Sequence, residues 1–138
     1  MKAKQLLISF TLIIGLYACN NHGGNSNGGY QQQVQSVEEI ERSEPTNFLS
    51  VVGTYNTNFW GDKFKIEGSI NNAATVATYK DAVIKVTFYS KTKTELGSSN
   101  YTVYDFFPPH GQKKFELKVD KVGAANSVGL EVVGATAQ

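Results

Sequence analysis

From Lys63 onward apolar and polar side chains alternate with a period of two, and this constrains the fold more than any other feature of the chain. In Lys63–Ile70 the residues Phe64, Ile66, Gly68 and Ile70 share one face, while Lys63, Lys65, Glu67 and Ser69 share the other. Ala82, Ile84, Val86 and Phe88 repeat the pattern, as do Phe115, Leu117 and Val119, then Val128, Leu130 and Val132. Weaker runs at Phe48–Tyr55 and Ser99–Tyr104 supply two more strands. Turn-forming clusters separate them: Asn71-Asn72, Lys91-Thr92-Lys93, Pro108-Pro109-His110-Gly111 and Gly123-Ala124-Ala125-Asn126. Strands with one polar face suit antiparallel sheets and disfavour a parallel sheet covered by helices. The expectation is an all-β domain over Thr46–Gln138, an antiparallel β-sandwich of six to seven strands in two packed sheets, with a small closed barrel as the alternative. Its expected core is Phe64, Ile66, Ile84, Val86, Phe88, Phe115, Leu117, Leu130 and Val132. Each large side chain contributes roughly 1.5–3 kcal/mol on burial, before chain entropy is set against it.

The N-terminal third reads differently. Met1-Lys2-Ala3-Lys4-Gln5 is a basic start, Leu6–Tyr17 is almost wholly apolar, and Ala18 precedes Cys19, the single cysteine. A basic start, a short apolar centre and a small exit residue make a secretory signal, too short for a membrane-spanning helix. Residues 1–18 are therefore expected to be a signal peptide. Leu16-Tyr17-Ala18-Cys19 resembles the lipobox of bacterial lipoproteins, although Tyr17 stands where that family has a small residue. The resemblance implies that Cys19 is lipidated, with palmitate among the acyl groups, and becomes the first mature residue. That implies export and lipid anchoring to a bacterial membrane, on its periplasmic face or at the cell surface. Two or more acyl chains, at roughly 0.8 kcal/mol per buried methylene, make such an anchor stable. An ordinary cleavage near Ala18 would instead leave an odd free thiol.

Residues 19–45 have the composition of a tether. Asn20–Gly29 is Asn, Gly and Ser with one histidine, and Gln31-Gln32-Gln33 follows. A flexible chain of this length reaches about 28 Å. Val34, Val37 and Ile40 fall three apart among Glu38, Glu39, Glu41 and Glu44, which permits a helical turn. Isolated helices under about 12–15 residues are marginal in water, so disorder is expected up to Pro45. Loss of Lys2 and Lys4 with the signal takes two of thirteen basic residues and leaves eleven against twelve acidic ones. Such a near-neutral chain has no basic field for nucleic acid.

Within the domain, Lys65–Asn72, Val83–Tyr89 and Pro109–Phe115 together resemble the FxLYD domain, an immunoglobulin-like sandwich of secreted and lipid-anchored bacterial proteins with no settled molecular function. Gly68, Ile70 and Asn72 match its glycine–apolar–asparagine strand end. Val86-Thr87-Phe88-Tyr89-Ser90 matches the motif behind the name, with Val86 for the aromatic and Ser90 for the aspartate. Gly111 and Phe115 match its proline–glycine turn and following phenylalanine, with His110 inserted after Pro109. The resemblance covers about Phe48–Ala135 and bears on the fold more than on any activity.

Chemistry has little to work with. The two histidines are His22 in the tether and His110 in a proline turn, and Cys19 is committed to the anchor, so no nucleophile–base pair suggests itself. Asp62, Asp81, Asp105, Asp120 and Glu131 show no spacing that pairs two carboxylates for glycosidic cleavage. Asn58, Gly61 and Asp62 lack the ligand spacing of a calcium loop, and no Cys/His cluster suits zinc. No catalytic residue, metal or cofactor is expected. The aromatics are the lead for binding: Tyr55, Phe59 and Trp60 crowd one loop, and aromatics offer large, rigid contact area. The competing account puts Trp60 in the core, where sandwiches commonly hold one tryptophan. Asn72 reads as a turn residue bonding its own backbone. The expectation is a non-catalytic binding or scaffolding module of the cell envelope, its partner an envelope protein or a glycan. A carbohydrate-binding accessory module is the alternative, and a small hydrolase a more distant one.

Overall fold

The computed structural model describes residues 34–138, so the readings of the signal peptide, of Cys19 and of the first part of the tether lie outside the described residues. Two short helices, α1 (Val37–Ser43) and α2 (Pro45–Phe48), precede six strands. These are β1 (Leu49–Thr57), β2 (Lys63–Asn72), β3 (Tyr79–Tyr89), β4 (Glu95–Phe107), β5 (Gln112–Asp120) and β6 (Ser127–Ala137). They form two three-stranded antiparallel sheets, ordered β1-β2-β5 and β4-β3-β6. The domain is an all-β sandwich, with the lower of the two expected strand numbers.

The alternation places the inward faces as expected. Phe64, Ile66 and Ile70 of β2 are buried, as are Ala82, Ile84, Val86 and Phe88 of β3, Phe115 and Val119 of β5, and Val132 of β6. Leu117 and Leu130 are partly buried against them. The rings of Phe64 and Phe88, one from each sheet, stack 6.4 Å apart at 27° and join the two layers. Gly53 and Gly68 face each other in register, and a Cβ on Gly68 would lie 2.8 Å from Phe115 Cζ and 2.4 Å from Val52 O. The missing side chain is the slot that the Phe115 ring fills.

Both weaker runs belong to edge strands. β1 has six consecutive exposed residues, and β4 extends well beyond Ser99–Tyr104. β5 and β6 are edge strands too and do alternate, so the difference lies in burial: β1 and β4 carry long exposed stretches that pack little on the core and are under weak pressure to alternate. Asp105 of β4 and Lys113 of β5 form an ion pair at 3.2 Å that ties the two sheets together along one side. The Phe106 N–H, and then Lys113, hold the Asp105 carboxyl below its ordinary range.

Two expectations need correction. Asn71-Asn72 closes β2 instead of forming the turn; the connection is Ala73–Thr78, which crosses to the other sheet. Asn72 does accept from the Ala74 N–H at 2.8 Å, as a turn residue would, but it is also buried and donates to the carbonyls of Ala77 and Phe107 at 3.0 and 2.9 Å. Second, the packed unit extends upstream of Thr46 and includes α1. Tether disorder up to Pro45 does not hold for α1, which Ser36 caps through a reciprocal pair of bonds with Glu39. Propensity arguments for an isolated helix do not apply here, because a tertiary contact through Glu41 fixes α1 to the domain.

Candidate functional site

The β1–β2 connection, Asn58–Asp62, is a tight hairpin tip whose backbone is tied from several sides. Asn58 N–H donates to Lys63 O, Gly61 N–H donates to Asn58 O, and Asn58 Oδ1 accepts from Lys63 N–H, at 3.0, 3.0 and 3.1 Å. Gly61 turns at φ +73°, in the left-handed region that favours glycine. Asp62 O accepts from Lys121 N–H at 2.8 Å, which fastens the tip to the β5–β6 loop. Lys63 pairs with Asp120, and that hydrogen bond and charge raise the Lys63 ammonium above its ordinary range.

On this fixed backbone two aromatic side chains stand in solvent. Phe59 is 94% exposed and Trp60 is 83% exposed, with ring centroids 5.4 Å apart and planes at 88°. The core reading of Trp60 is therefore set aside. Both rings point outward from the tip. Tyr55 behaves differently: it is 39% exposed, and its ring meets Phe64 edge-on at 5.5 Å. The structure thus brings Phe59 and Trp60 together and assigns Tyr55 to the rim of the core. Lys121 Nζ lies 5.1 Å from the Phe64 ring centroid, so the same ring also receives a cation–π contact.

Two further surface features lie away from the tip. Tyr104 and Phe106 on β4 are exposed; Phe106 was not singled out from the sequence, although aromatics two apart in a strand share a face. The outer face of the β1-β2-β5 sheet forms an open groove of about 790 Å³ near Val52, Thr54, Ser69 and Lys114. Its charges are largely engaged, with Lys65 bonded to both Glu67 and Glu116, and Ser69 Oγ accepting from Gln112. Those contacts raise the Lys65 ammonium above its ordinary range.

Asp62 and Asp120 sit at the tip end, Asp105 is engaged with Lys113, and His110 occupies an exposed turn at φ 55°. Among the described residues, no group of three or more His, Cys, Asp or Glu side chains could hold a metal ion. Every buried side-chain polar atom among them has a hydrogen-bond partner, so no orphaned group marks a ligand's place. The Phe59–Trp60 tip is the most exposed pair of touching aromatic rings among the described residues. No family model, curated protein or solved structure matches the chain.

Proposed function

We propose that this protein is an exported, lipid-anchored module of a bacterial cell envelope that binds a protein partner through the Phe59–Trp60 tip, without catalysis. The carrying observation is the pair itself: two large, adjacent, solvent-facing aromatics on a backbone fixed by hydrogen bonds. Exposed apolar surface costs solubility, and a contiguous patch of it normally marks an interaction site. Rigid aromatics make strong contacts because little side-chain entropy is lost when they bind.

Placement supports the reading. The chain joins the domain through α1, docked on the Ala73–Ala77 loop beside Leu49, and β1 then runs nine residues, about 30 Å, to the tip at the other end of the sandwich. A domain tied to a membrane through Cys19 and residues 20–33 would thus present its aromatic end away from its attachment. Asn72 and Gly111 hold the end of the domain opposite the tip. Asn72 N–H donates to Gly111 O at 2.9 Å, and Phe115 fills the space above Gly68.

A glycan is the second reading, favoured by the exposed Tyr104 and Phe106. Sugar rings stack on flat aromatic faces, and the 88° angle between Phe59 and Trp60 offers no shared flat platform. The test has two parts. Cys19→Ala is expected to release the protein from membranes or to block maturation; parental fractionation of this variant refutes anchoring. Trp60→Ala is expected to weaken capture of the partner by about 2 kcal/mol, as truncated hot-spot tryptophans do. Unchanged capture refutes the tip as the contact.

A further inference from the structure

Glu41 presents a second, independent site. Its side chain is 1% exposed, although it sits on a seven-residue helix whose apolar residues Val37 and Ile40 face solvent. One carboxylate oxygen accepts from Thr75 N–H and Thr75 Oγ1 at 2.7 and 2.8 Å, and the other accepts from Val76 N–H and Ala77 N–H at 2.9 Å each. Tyr79 OH, itself buried, donates to the Glu41 backbone carbonyl at 2.7 Å. Three consecutive backbone N–H groups converging on one anion form a nest, a recurrent anion-binding arrangement.

The loop has a second support besides Glu41. Asn72 pins the loop from within, accepting from Ala74 N–H and donating to Ala77 O and to Phe107 O. Both ends of the nest are thus held by a buried side chain that touches neither carboxylate oxygen. The strap, in contrast, contributes little besides Glu41: Val37 is 59% exposed and Ile40 39%.

We propose that the Ala73–Ala77 loop with Tyr79 is a receptor for a glutamyl residue, reading its side-chain carboxylate and its main-chain carbonyl together, and that α1 occupies it as a displaceable strap. When the strap lifts, the site takes the glutamate of an incoming peptide. The covalent link gives the strap an effective concentration in the millimolar range, so an external peptide binds the unmodified protein weakly.

The probe is the acetylated, amidated peptide spanning Ser36–Ser43, added to the full chain. In Glu41→Ala, exchange of the Thr75, Val76 and Ala77 amides is expected to quicken at least tenfold. The peptide restores protection, and the same peptide carrying Glu41→Ala does not. Acetate, which fits only the nest, is expected to restore protection partially where equal sodium chloride does not. Ser36→Ala serves if Glu41→Ala fails to fold, since it removes the strap's cap and leaves the receptor intact. A lost cap is worth about fivefold in the strap's closing equilibrium, and peptide affinity should rise by that factor over the parent. Concentration-dependent dimerisation of Ser36→Ala would identify strap exchange between copies as the source of the glutamate; peptide uptake by a monomer would identify a foreign peptide. Binding of both peptides alike, or no change in the amides of residues 75–77 on adding either, overturns the proposal.

Discussion

Replacing Gly68 with alanine is the sharpest test of how the sandwich closes. The added Cβ would lie 2.4 Å from Val52 O, 2.8 Å from Phe115 Cζ and 3.0 Å from Gly53 Cα. The phenylalanine ring can rotate away at some loss of packing, but Val52 O and Gly53 Cα are backbone atoms of the paired strand and yield only if the sheet moves. Overpacking of this kind costs about 1–3 kcal/mol, and backbone contacts place Gly68→Ala near the upper end. Removing glycine's extra freedom in the unfolded chain returns about 0.5–1 kcal/mol. The net expectation is a loss of about 2 kcal/mol, or a fall of roughly 10 °C in Tm for a domain of this size. Urea and thermal unfolding measure it, with Gly134→Ala as the control. The nearest atom to a Cβ there is 4.0 Å away, so that variant should be neutral or slightly stabilised. A shorter side chain at position 115 should restore only part of the loss, because Val52 O remains in place. If Gly68→Ala unfolds within about 0.5 kcal/mol of the parent, the Gly53–Gly68 crossing is not as close as described.

Other expectations concern the core, the tip and the strap. Phe115→Ala should cost about 3–5 kcal/mol by equilibrium denaturation, since the ring is 9% exposed and fills the Gly68 slot; a loss under about 1 kcal/mol would mean the strand faces the other way. Trp60→Ala should change stability by no more than about 0.5 kcal/mol, and parental Trp60 fluorescence should be readily quenched by iodide; a shielded emission would place the ring in the core. For Glu41, burial opposes ionisation, but the N–H groups of Thr75, Val76 and Ala77 and the Thr75 hydroxyl outweigh it and lower its pKa from 4.5 to about 2. Since the folded value is the depressed one, the strap's contribution is complete above about pH 4.5 and fades as pH falls toward 2. Tyr79, raised by burial and by the Glu41 charge, stays neutral throughout that window. Protection of the residue 75–77 amides between pH 5 and 8 should therefore be flat; loss of protection near pH 6 would contradict the bonding described.

The legible parts of the fold were those where one face of a strand meets the core. Phe64, Ile66, Ile84, Val86 and Phe88 could be read as inward because burial on one side and water on the other imposes the two-residue period. Tyr79 and Phe107, both fully buried, escaped because they pair at one end of β3 and β4, next to a β-bulge at Asp81 that interrupts the alternation. The docked helix escaped for a different reason. Sequence patterning seeks an apolar stripe, whereas α1 docks through a carboxylate whose partners lie 34–36 residues away in a loop. At the tip, composition located the aromatic cluster but not its sorting. Trp60 and Tyr55 differ in burial because one lies in a turn and the other in a strand paired opposite Ile66.

The central claim is that the Phe59–Trp60 tip meets a protein in the envelope, and cross-linking from the tip tests it most directly. A photoreactive phenylalanine analogue at position 59 preserves an aromatic side chain there and leaves Trp60 intact. The same analogue at Thr54, exposed on the outer face of its sheet, gives the comparison. Irradiation of cells should yield a discrete protein adduct from position 59, absent from position 54 and lost when Trp60→Ala is added. Equal labelling from both positions, or an adduct that survives Trp60→Ala, would contradict the tip as the binding surface.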